Sequence, residues 1–405
     1  MKLEITPSVA KGEIIAPPSK SVAHRLLICA ALADGVSVIE NVGTNDDVLA
    51  TVSCLEGLGA EIKITDGVAT VKGVSLAHRA ERMTFNCNES GSTLRFLIPV
   101  TLLFSKECEF SGKGRLMERP QSVYEKLFQE KGCYLEFKNK VLHTGGELKS
   151  GAFEIPGDVS SQFLTGLMLA LPLLSGDSEI ILTKKLQSAP YVDITIQALK
   201  EFGVLIEKTK NGYFIKGSQK YKSRNIINEG DWSNAAFLDA FNLANGCVDV
   251  KGINPQSFQG DKIYREFYDS LSKGTPELDI SQYPDLGPVL MVCAVLKNGA
   301  TLKGTKRLKI KESDRAEVMA KELKKFGVDV KVDEDSVTIP NVKPHKPTDG
   351  VDCCNDHRIA MAFSVLCSVT GGVLDGAQCV NKSYPDFFMD IKNLGIQYNF
   401  LIGED

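Results

Sequence analysis

The sequence predicts an α/β protein of two lobes, each holding three similar units. Three observations lead there: a helix–glycine–strand signature that recurs six times, an apolar helix ahead of each recurrence, and strand-like alternation after most of the glycines. The signature reads Leu58-Gly59-Ala60, Lys131-Gly132-Cys133, Phe202-Gly203-Val204, Lys273-Gly274-Thr275, Phe326-Gly327-Val328 and Leu394-Gly395-Ile396. Its copies lie roughly 70 residues apart, with one interval shortened to about 50. Glycine suits the position because the residue after a helix commonly takes a positive φ.

The apolar helices are expected at residues 21–33, 92–104, 161–174, 234–244, 285–296 and 356–369. A glycine near each C-terminus leads into a short β-prone stretch, as at 36–39, 178–182 and 301–303. Hairpin patterns follow the repeat glycines, for example 61–65 with 69–72 and 329–332 with 336–339. Read cyclically, each unit is strand–helix–strand–strand–helix–strand. One unit cannot bury both faces of its sheet, so units must pack together. Closed lobes are favoured over one long solenoid because the copies share no consensus sequence. The polar stretch 221–230 marks the lobe boundary, and the strand-like arm 1–16 can pair with either lobe.

Composition narrows the function. The 405 residues are 43% hydrophobic and 24% charged, an ordinary globular balance, with a formal charge of −4 that argues against a nucleic-acid binder. Any cationic site must therefore be local. Eleven cysteines are scattered without a CxxC, several in apolar runs, so a disulfide framework or a zinc site is not expected. The N-terminus lacks the apolar core of a signal peptide, and the longest apolar run, 163–174, is too short to span a bilayer. A cytoplasmic protein is expected.

The polar residues collect at the helix starts. The first helices open on Ser19-Lys20-Ser21 with His24-Arg25, on Glu89-Ser90-Gly91-Ser92 with Arg95, and on Ser160-Ser161-Gln162. Later ones open on Asp231-Trp232-Ser233, Pro284-Asp285 and Asn355-Asp356-His357-Arg358. The second helices begin near Arg115 with Glu118-Arg119-Pro120, Ser188-Ala189-Pro190, Lys311-Glu312-Ser313-Asp314-Arg315 and Lys382 with Pro385-Asp386. Helix capping accounts for much of this, including Ser92, Asp46, Asp261 and Asp386. It does not account for the cations, because a helix N-terminus carries about half a positive charge and repels them. Lys20, Arg25, Arg95, Arg115, Lys311, Arg315, Arg358 and Lys382 in a net-acidic chain call for anions to offset them. The pattern predicts a site for polyanionic small molecules. No Walker A or GxGxxG fingerprint supports a nucleotide, no GxSxG supports a serine nucleophile, and the five histidines are too dispersed for a metal.

Taken in order along nearly the whole chain, these pieces make the sequence resemble the 5-enolpyruvylshikimate-3-phosphate synthase family. The resemblance implies two lobes of three βαβαββ-type units around an interlobe active-site cleft, residues 17–229 forming one lobe and 1–16 plus 230–405 the other. It implies transfer of the enolpyruvyl group of phosphoenolpyruvate to the 5-hydroxyl of shikimate 3-phosphate, with release of phosphate, in the shikimate pathway of aromatic amino-acid biosynthesis. No cofactor or metal is implied, no nucleic-acid or membrane partner, and a monomer. Lys20, Ser21, Arg25, Ser160, Ser161, Gln162, Ser188, Asp285 and Lys311 would hold shikimate 3-phosphate. Lys20, Gly91, Arg115, Gln162, Arg315, Arg358 and Lys382 would hold phosphoenolpyruvate, whose site glyphosate also takes in the family. Asp285 would be the base at the 5-hydroxyl, Glu312 the acid at the enol methylene, and Lys20 a stabiliser of charge on phosphate. Two phosphates and two carboxylates carry roughly −5 to −6, close to the seven positive charges named for them.

Three positions depart from the family pattern: Glu89, Ala189 and Arg307. The related UDP-N-acetylglucosamine enolpyruvyl transferases rely on a loop cysteine, and residues 111–120 contain none. A non-catalytic anion-binding repeat protein would not need both Asp285 and Glu312 beside the cations.

Overall fold

The computed structural model describes residues 1–74 and 79–401. The chain divides into two compact units, one continuous (Pro18–Glu229) and one formed by Met1–Pro17 with Gly230–Asp405. Pro17 goes with the discontinuous unit, one residue beyond the expected arm.

In the continuous unit, three four-stranded sheets share one order. The middle sheet shows the plan. Strand Ala80–Asn86 runs through helix Gly91–Thr101 to a parallel partner, Ser105–Ser111; helix Ser122–Glu130 then leads to the hairpin Cys133–Lys138 and Val141–Gly146. The inner hairpin strand pairs antiparallel with Ser105–Ser111, which leaves the outer one at the edge. The third sheet repeats this with Gly151–Ile155, Ser178–Leu182, Gly212–Ile215 and Glu207–Thr209. The first is closed by the far end of the unit: Asn225–Ile227 pairs in parallel with Val36–Glu40, Asn225 opposite Val38.

Helices Lys20–Leu32, Gly91–Thr101 and Ser161–Ala170 are buried along nearly their whole length after the first turn. Being buried on nearly every side, they form the centre of the unit rather than its surface. Gly166 lets two of them touch, since a Cβ there would lie 2.4 Å from the Arg95 carbonyl oxygen. The expected helix 161–174 ends at Ala170 and continues as a 3-10 turn, Leu171–Leu173, containing Pro172.

The discontinuous unit has two such four-stranded sheets. One joins Glu277–Asp279, Ala300–Lys303, Ser336–Ile339 and Lys331–Val332. The other joins Val351–Asp352, Gly372–Asp375, Lys2–Thr6 and Gln397–Leu401. The N-terminal arm therefore pairs here: Lys2–Thr6 fills the inner hairpin position, and Lys11–Ile15 runs parallel to Cys247–Lys251. Among the described residues, that last sheet has two strands. After helix Tyr264–Lys273 the chain passes directly to Glu277–Asp279 of the next sheet, and this missing hairpin is the shortened repeat interval.

The repeat glycines bear out the φ argument at five positions, from 73° at Gly132 to 109° at Gly59. Gly274 differs: its φ of 172° is extended backbone, because no hairpin has to be entered there. Capping also differs in detail from expectation. Asn45 and Ser90, not Asp46 and Ser92, accept the N-terminal amides, because each lies one or two residues earlier at the bend into the helix. Asp386 makes no side-chain cap bond, and Asp261 lies inside a 3-10 turn, Gly260–Ile263, whose N-cap position is Gln259. All eleven cysteines are free thiols, nine of them buried. Among the described residues, no helix is long and apolar enough to cross a membrane, and no cluster of His, Cys, Asp and Glu has a metal-holding arrangement.

Candidate active site

The predicted residues fall into two sets, one in each unit. In the continuous unit, Ser19 caps helix Lys20–Leu32 and so sets Lys20 and Ser21 at its first turn. The Lys20 ammonium pairs with Asp47 at 2.8 Å. Arg25, one turn on, is buried and donates to Thr195 Oγ1 (2.7 Å), Ser21 O (2.6 Å) and Tyr191 O (3.0 Å), with its guanidinium over the Phe96 ring. Burial brings its pKa down to about 10, still charged at neutral pH. These bonds tie Ser21 to helix Ala189–Glu201, which follows the left-handed Ser188. Burial, then the charges of Lys20 and Arg25, hold neighbouring His24 well below its usual pKa, so the positive charge of this corner is concentrated.

Helix Gly91–Thr101 brings the next group. Ser92 Oγ accepts from Gln162 Nε2 (3.0 Å), and Gln162 Oε1 accepts from Arg95 Nη1 (2.8 Å), whose Nη2 donates to Pro120 O (2.9 Å). Gln162 is placed by the Ser160 cap, whose Oγ accepts its backbone amide. Arg119 joins this group although its sequence context marks it only as a neighbour of Pro120. It is 7% exposed and lies against Gly91: a Cβ at Gly91 would come within 2.6 Å of its Nη1. Arg115 is the more open of the two, with its side chain 50% exposed and 3.7 Å from Glu118. The signal available was the pair of arginines four apart before Pro120, which does not say which one turns inward. The departure at Glu89 packs on the same loop, its carboxylate against Gly114.

The discontinuous unit holds the second set. Asp285 lies in the 3-10 turn Pro284–Leu286, Lys311 follows the 3-10 turn Lys306–Ile310, and Arg315 begins helix Arg315–Lys324, capped by Asp314. Asp356 caps helix His357–Thr370, which carries Arg358, and Lys382 ends the turn Ala377–Lys382 with its ammonium on Asn355 O (2.5 Å).

Arg315 organises this set. Its side chain is 1% exposed and bonds three carboxylates: Asp285 (2.8 Å), Glu312 (2.7 Å) and Asp356 (2.8 Å). The two residues expected to act as base and acid thus share one guanidinium. Asp285 also faces Lys311 (3.1 Å) and Arg358 (3.2 Å). Burial alone would raise its pKa, but Arg358, then Lys311 and Arg315, hold it well below the carboxylate range. Burial lowers the Lys311 ammonium more than Asp285 raises it. Arg307 is buried beside this set and its guanidinium donates to Ser281 O. Ser233 also belongs here, its Oγ accepting from Arg358 Nη1 at 2.7 Å, and burial, then the charge of Asp285, push the nearby Asp261 carboxyl up to about 6.

Clustered cations at helix starts, around two carboxylates held by one arginine, suit anion binding with proton transfer. The family model described as EPSP synthase (3-phosphoshikimate 1-carboxyvinyltransferase) matches residues 6–391. The chain belongs to this family. It is 41% identical over 420 aligned residues to the 3-phosphoshikimate 1-carboxyvinyltransferase of Clostridium acetobutylicum, covering 97% of each chain. Its identity to the protein of the same name from Clostridium botulinum is 39%, again with 97% of each chain covered. A solved EPSP synthase structure from Acinetobacter baumannii shares the fold, with a TM-score of 0.76, 23% identity, and coverage of 98% of this chain and 99% of that one.

Proposed function

We propose that the protein transfers the enolpyruvyl group of phosphoenolpyruvate to the 5-hydroxyl of shikimate 3-phosphate, releasing phosphate. It is an enzyme of the transferase class, and the match to one family over residues 6–391 carries this reading. The roles of individual residues rest on the geometry around Arg315.

In the proposed chemistry, Asp285 takes the proton of the 5-hydroxyl as the oxygen attacks C2 of phosphoenolpyruvate, and Glu312 gives a proton to the methylene carbon. The resulting tetrahedral intermediate loses phosphate, and a methyl proton returns to a carboxylate as the enol double bond re-forms. Asp285 is a poor base while Lys311, Arg315 and Arg358 all face it. Substrate anions that draw Arg358 and Lys311 toward themselves remove that stabilisation and raise its basicity, which couples proton abstraction to substrate binding. Lys20, Ser21, Arg25, Ser160, Ser161, Gln162, Ser188, Asp285 and Lys311 are assigned to shikimate 3-phosphate. Lys20, Gly91, Arg115, Gln162, Arg315, Arg358 and Lys382 are assigned to phosphoenolpyruvate, with Arg119 added beside Gly91. Lys20 would stabilise charge on the phosphate. A cytoplasmic monomer is part of the proposal.

The test is phosphate release from both substrates together, each alone, and phosphoenolpyruvate with UDP-N-acetylglucosamine. Release only with shikimate 3-phosphate is expected. Release with the nucleotide sugar instead would overturn the reading.

A further inference from the structure

We propose that His24, Thr51 and Thr93 are positioning residues: a one-way series of buried hydrogen bonds, begun by a proton on His24 Nδ1, holds Ser90 and with it the Gly91 turn for phosphoenolpyruvate. The proposal rests on the assignment of Gly91 to that substrate.

The series joins three helices of the continuous unit. His24 lies on helix Lys20–Leu32, Thr51 on helix Asp46–Leu58 and Thr93 on helix Gly91–Thr101, each at most 1% exposed. His24 Nδ1 is 2.7 Å from Thr51 Oγ1, which is 2.7 Å from Thr93 Oγ1. Thr93 Oγ1 donates in turn to Ser90 Oγ at 2.7 Å, and the Thr93 amide donates to the same oxygen at 3.2 Å. The Asp47 carbonyl oxygen lies 3.5 Å from both threonine hydroxyls. Each hydroxyl has one proton to donate, and the shorter links hold it. Ser90 is the cap of helix Gly91–Thr101, so two donors from one residue fix the oxygen that sets the entry into that helix. The entry has little slack. Arg119 packs directly on it, since a Cβ at Gly91 would lie 2.6 Å from Arg119 Nη1. Movement of the cap therefore moves the Gly91 backbone and this guanidinium together.

The direction follows from His24. Burial, then the charges of Lys20 and Arg25, keep the ring neutral, and a neutral imidazole carries one N–H. Among the described residues, its Nε2 is buried with no hydrogen-bond partner. A proton there would be a buried N–H without an acceptor, and such groups are rarer than under-used acceptors. The proton therefore sits on Nδ1 and is donated to Thr51, which donates to Thr93, which donates to Ser90. In this direction both Ser90 lone pairs are filled by Thr93, and the serine proton is the open end of the series beside Gly91. Linked hydrogen bonds polarise one another, so a break at any point loosens the cap.

The test separates the hydroxyl from the packing. Thr93→Val keeps the shape and removes the hydroxyl, whereas Thr93→Ser keeps the hydroxyl and removes a methyl. KM for phosphoenolpyruvate, at saturating shikimate 3-phosphate, is expected to rise about fivefold or more in Thr93→Val, the worth of one ordinary hydrogen bond, and to stay within about twofold of the parent in Thr93→Ser. Thr51→Val, farther from Gly91, should raise KM in the same direction. Calorimetric binding of shikimate 3-phosphate should change less than KM in all three. A parental KM in folded Thr93→Val, or a KM that follows the methyl rather than the hydroxyl, overturns the proposal. A second arm needs no variant. Nitrogen NMR of the parent with labelled histidine, the His24 ring being assigned through its neighbours Thr51 and Phe96, should show the proton on Nδ1 and none on Nε2, unchanged from about pH 6 to 8. A proton on Nε2, or a charged ring, also overturns it. Failure of the parent to release phosphate from the two substrates would instead sink the functional reading and leave the NMR arm to decide the direction of the series.

Discussion

Replacing Gly91 by alanine probes a close contact in the candidate phosphoenolpyruvate set. A Cβ at Gly91 would lie 2.6 Å from Arg119 Nη1 and 2.9 Å from its Cζ. Ordinary contact needs about 3.5 Å, so the guanidinium must retreat by about 1 Å. The backbone is helical at Gly91, where alanine is the better residue by about 1 kcal/mol. The obstructing atoms are the end of a flexible side chain, so the fold should survive with a change of about 1 kcal/mol or less in either direction. Function should not survive equally well, since a misplacement of about 1 Å in a positioning group can cost up to about 10²-fold. Glyphosate is longer than phosphoenolpyruvate and should lose more affinity to the intruding methyl and the displaced Arg119. The assay is phosphate release with glyphosate titrated against phosphoenolpyruvate, for parent and Gly91→Ala, alongside thermal melts. A parent indifferent to glyphosate, or a well-folded variant with unchanged selectivity between the two ligands, would refute the packing argument.

Asp285→Asn and Glu312→Gln should each lower kcat by about 10²–10⁴-fold, while calorimetric binding of shikimate 3-phosphate falls far less; a variant with parental turnover removes its assigned role. Asp261 has a raised folded pKa, so its contribution to stability is favourable at low pH and is lost as pH rises from the unfolded value of 3.8 to about 6. Asp261→Asn should therefore gain stability relative to the parent between pH 4 and 7, by roughly 3 kcal/mol at most, as read by denaturant unfolding at several pH values. Asp285 has the opposite sign: its depressed pKa gives stability that is present above the unfolded value and lost as the solution is acidified below it, so Asp285→Asn should flatten the acid limb of the same curves. Native thiol labelling should modify exposed Cys247 first, partly exposed Cys354 more slowly and the nine buried cysteines only on unfolding, with mass spectrometry reporting the order.

The helix starts were legible in the sequence because their physics is local. Ser19, Ser160, Asp231 and Asp356 cap helices where a polar residue meets an apolar run. Repeat glycines marked helix ends for the same reason. Pairing between distant strands was less legible: Lys2–Thr6 reads equally well as a strand for either unit, and only tertiary packing puts it between Gly372–Asp375 and Gln397–Leu401. The missing hairpin left a trace in the repeat interval, but its consequence, an extended Gly274, was not visible in local pattern. In the candidate site, residue types were readable and their division of work was not. Arg115 and Arg119 look alike in sequence, yet one is half open and the other lies on Gly91. Arg315 was readable as an anion-binding cation, whereas its three carboxylate partners come from three separate segments and meet only in the fold. Asp261 looked like a cap because a short polar residue before a helix is ambiguous in sequence, and the fold puts it inside the turn Gly260–Ile263.

The most direct test of the central claim is phosphorus NMR of the protein with phosphoenolpyruvate and shikimate 3-phosphate together. The account predicts that the phosphoenolpyruvate resonance gives way to inorganic phosphate while the shikimate phosphate stays esterified, with the pyruvyl carbons found in an enol ether at the 5-oxygen by carbon-labelled substrate. Unchanged spectra, or inorganic phosphate formed from phosphoenolpyruvate alone with free pyruvate as the other product, would contradict it.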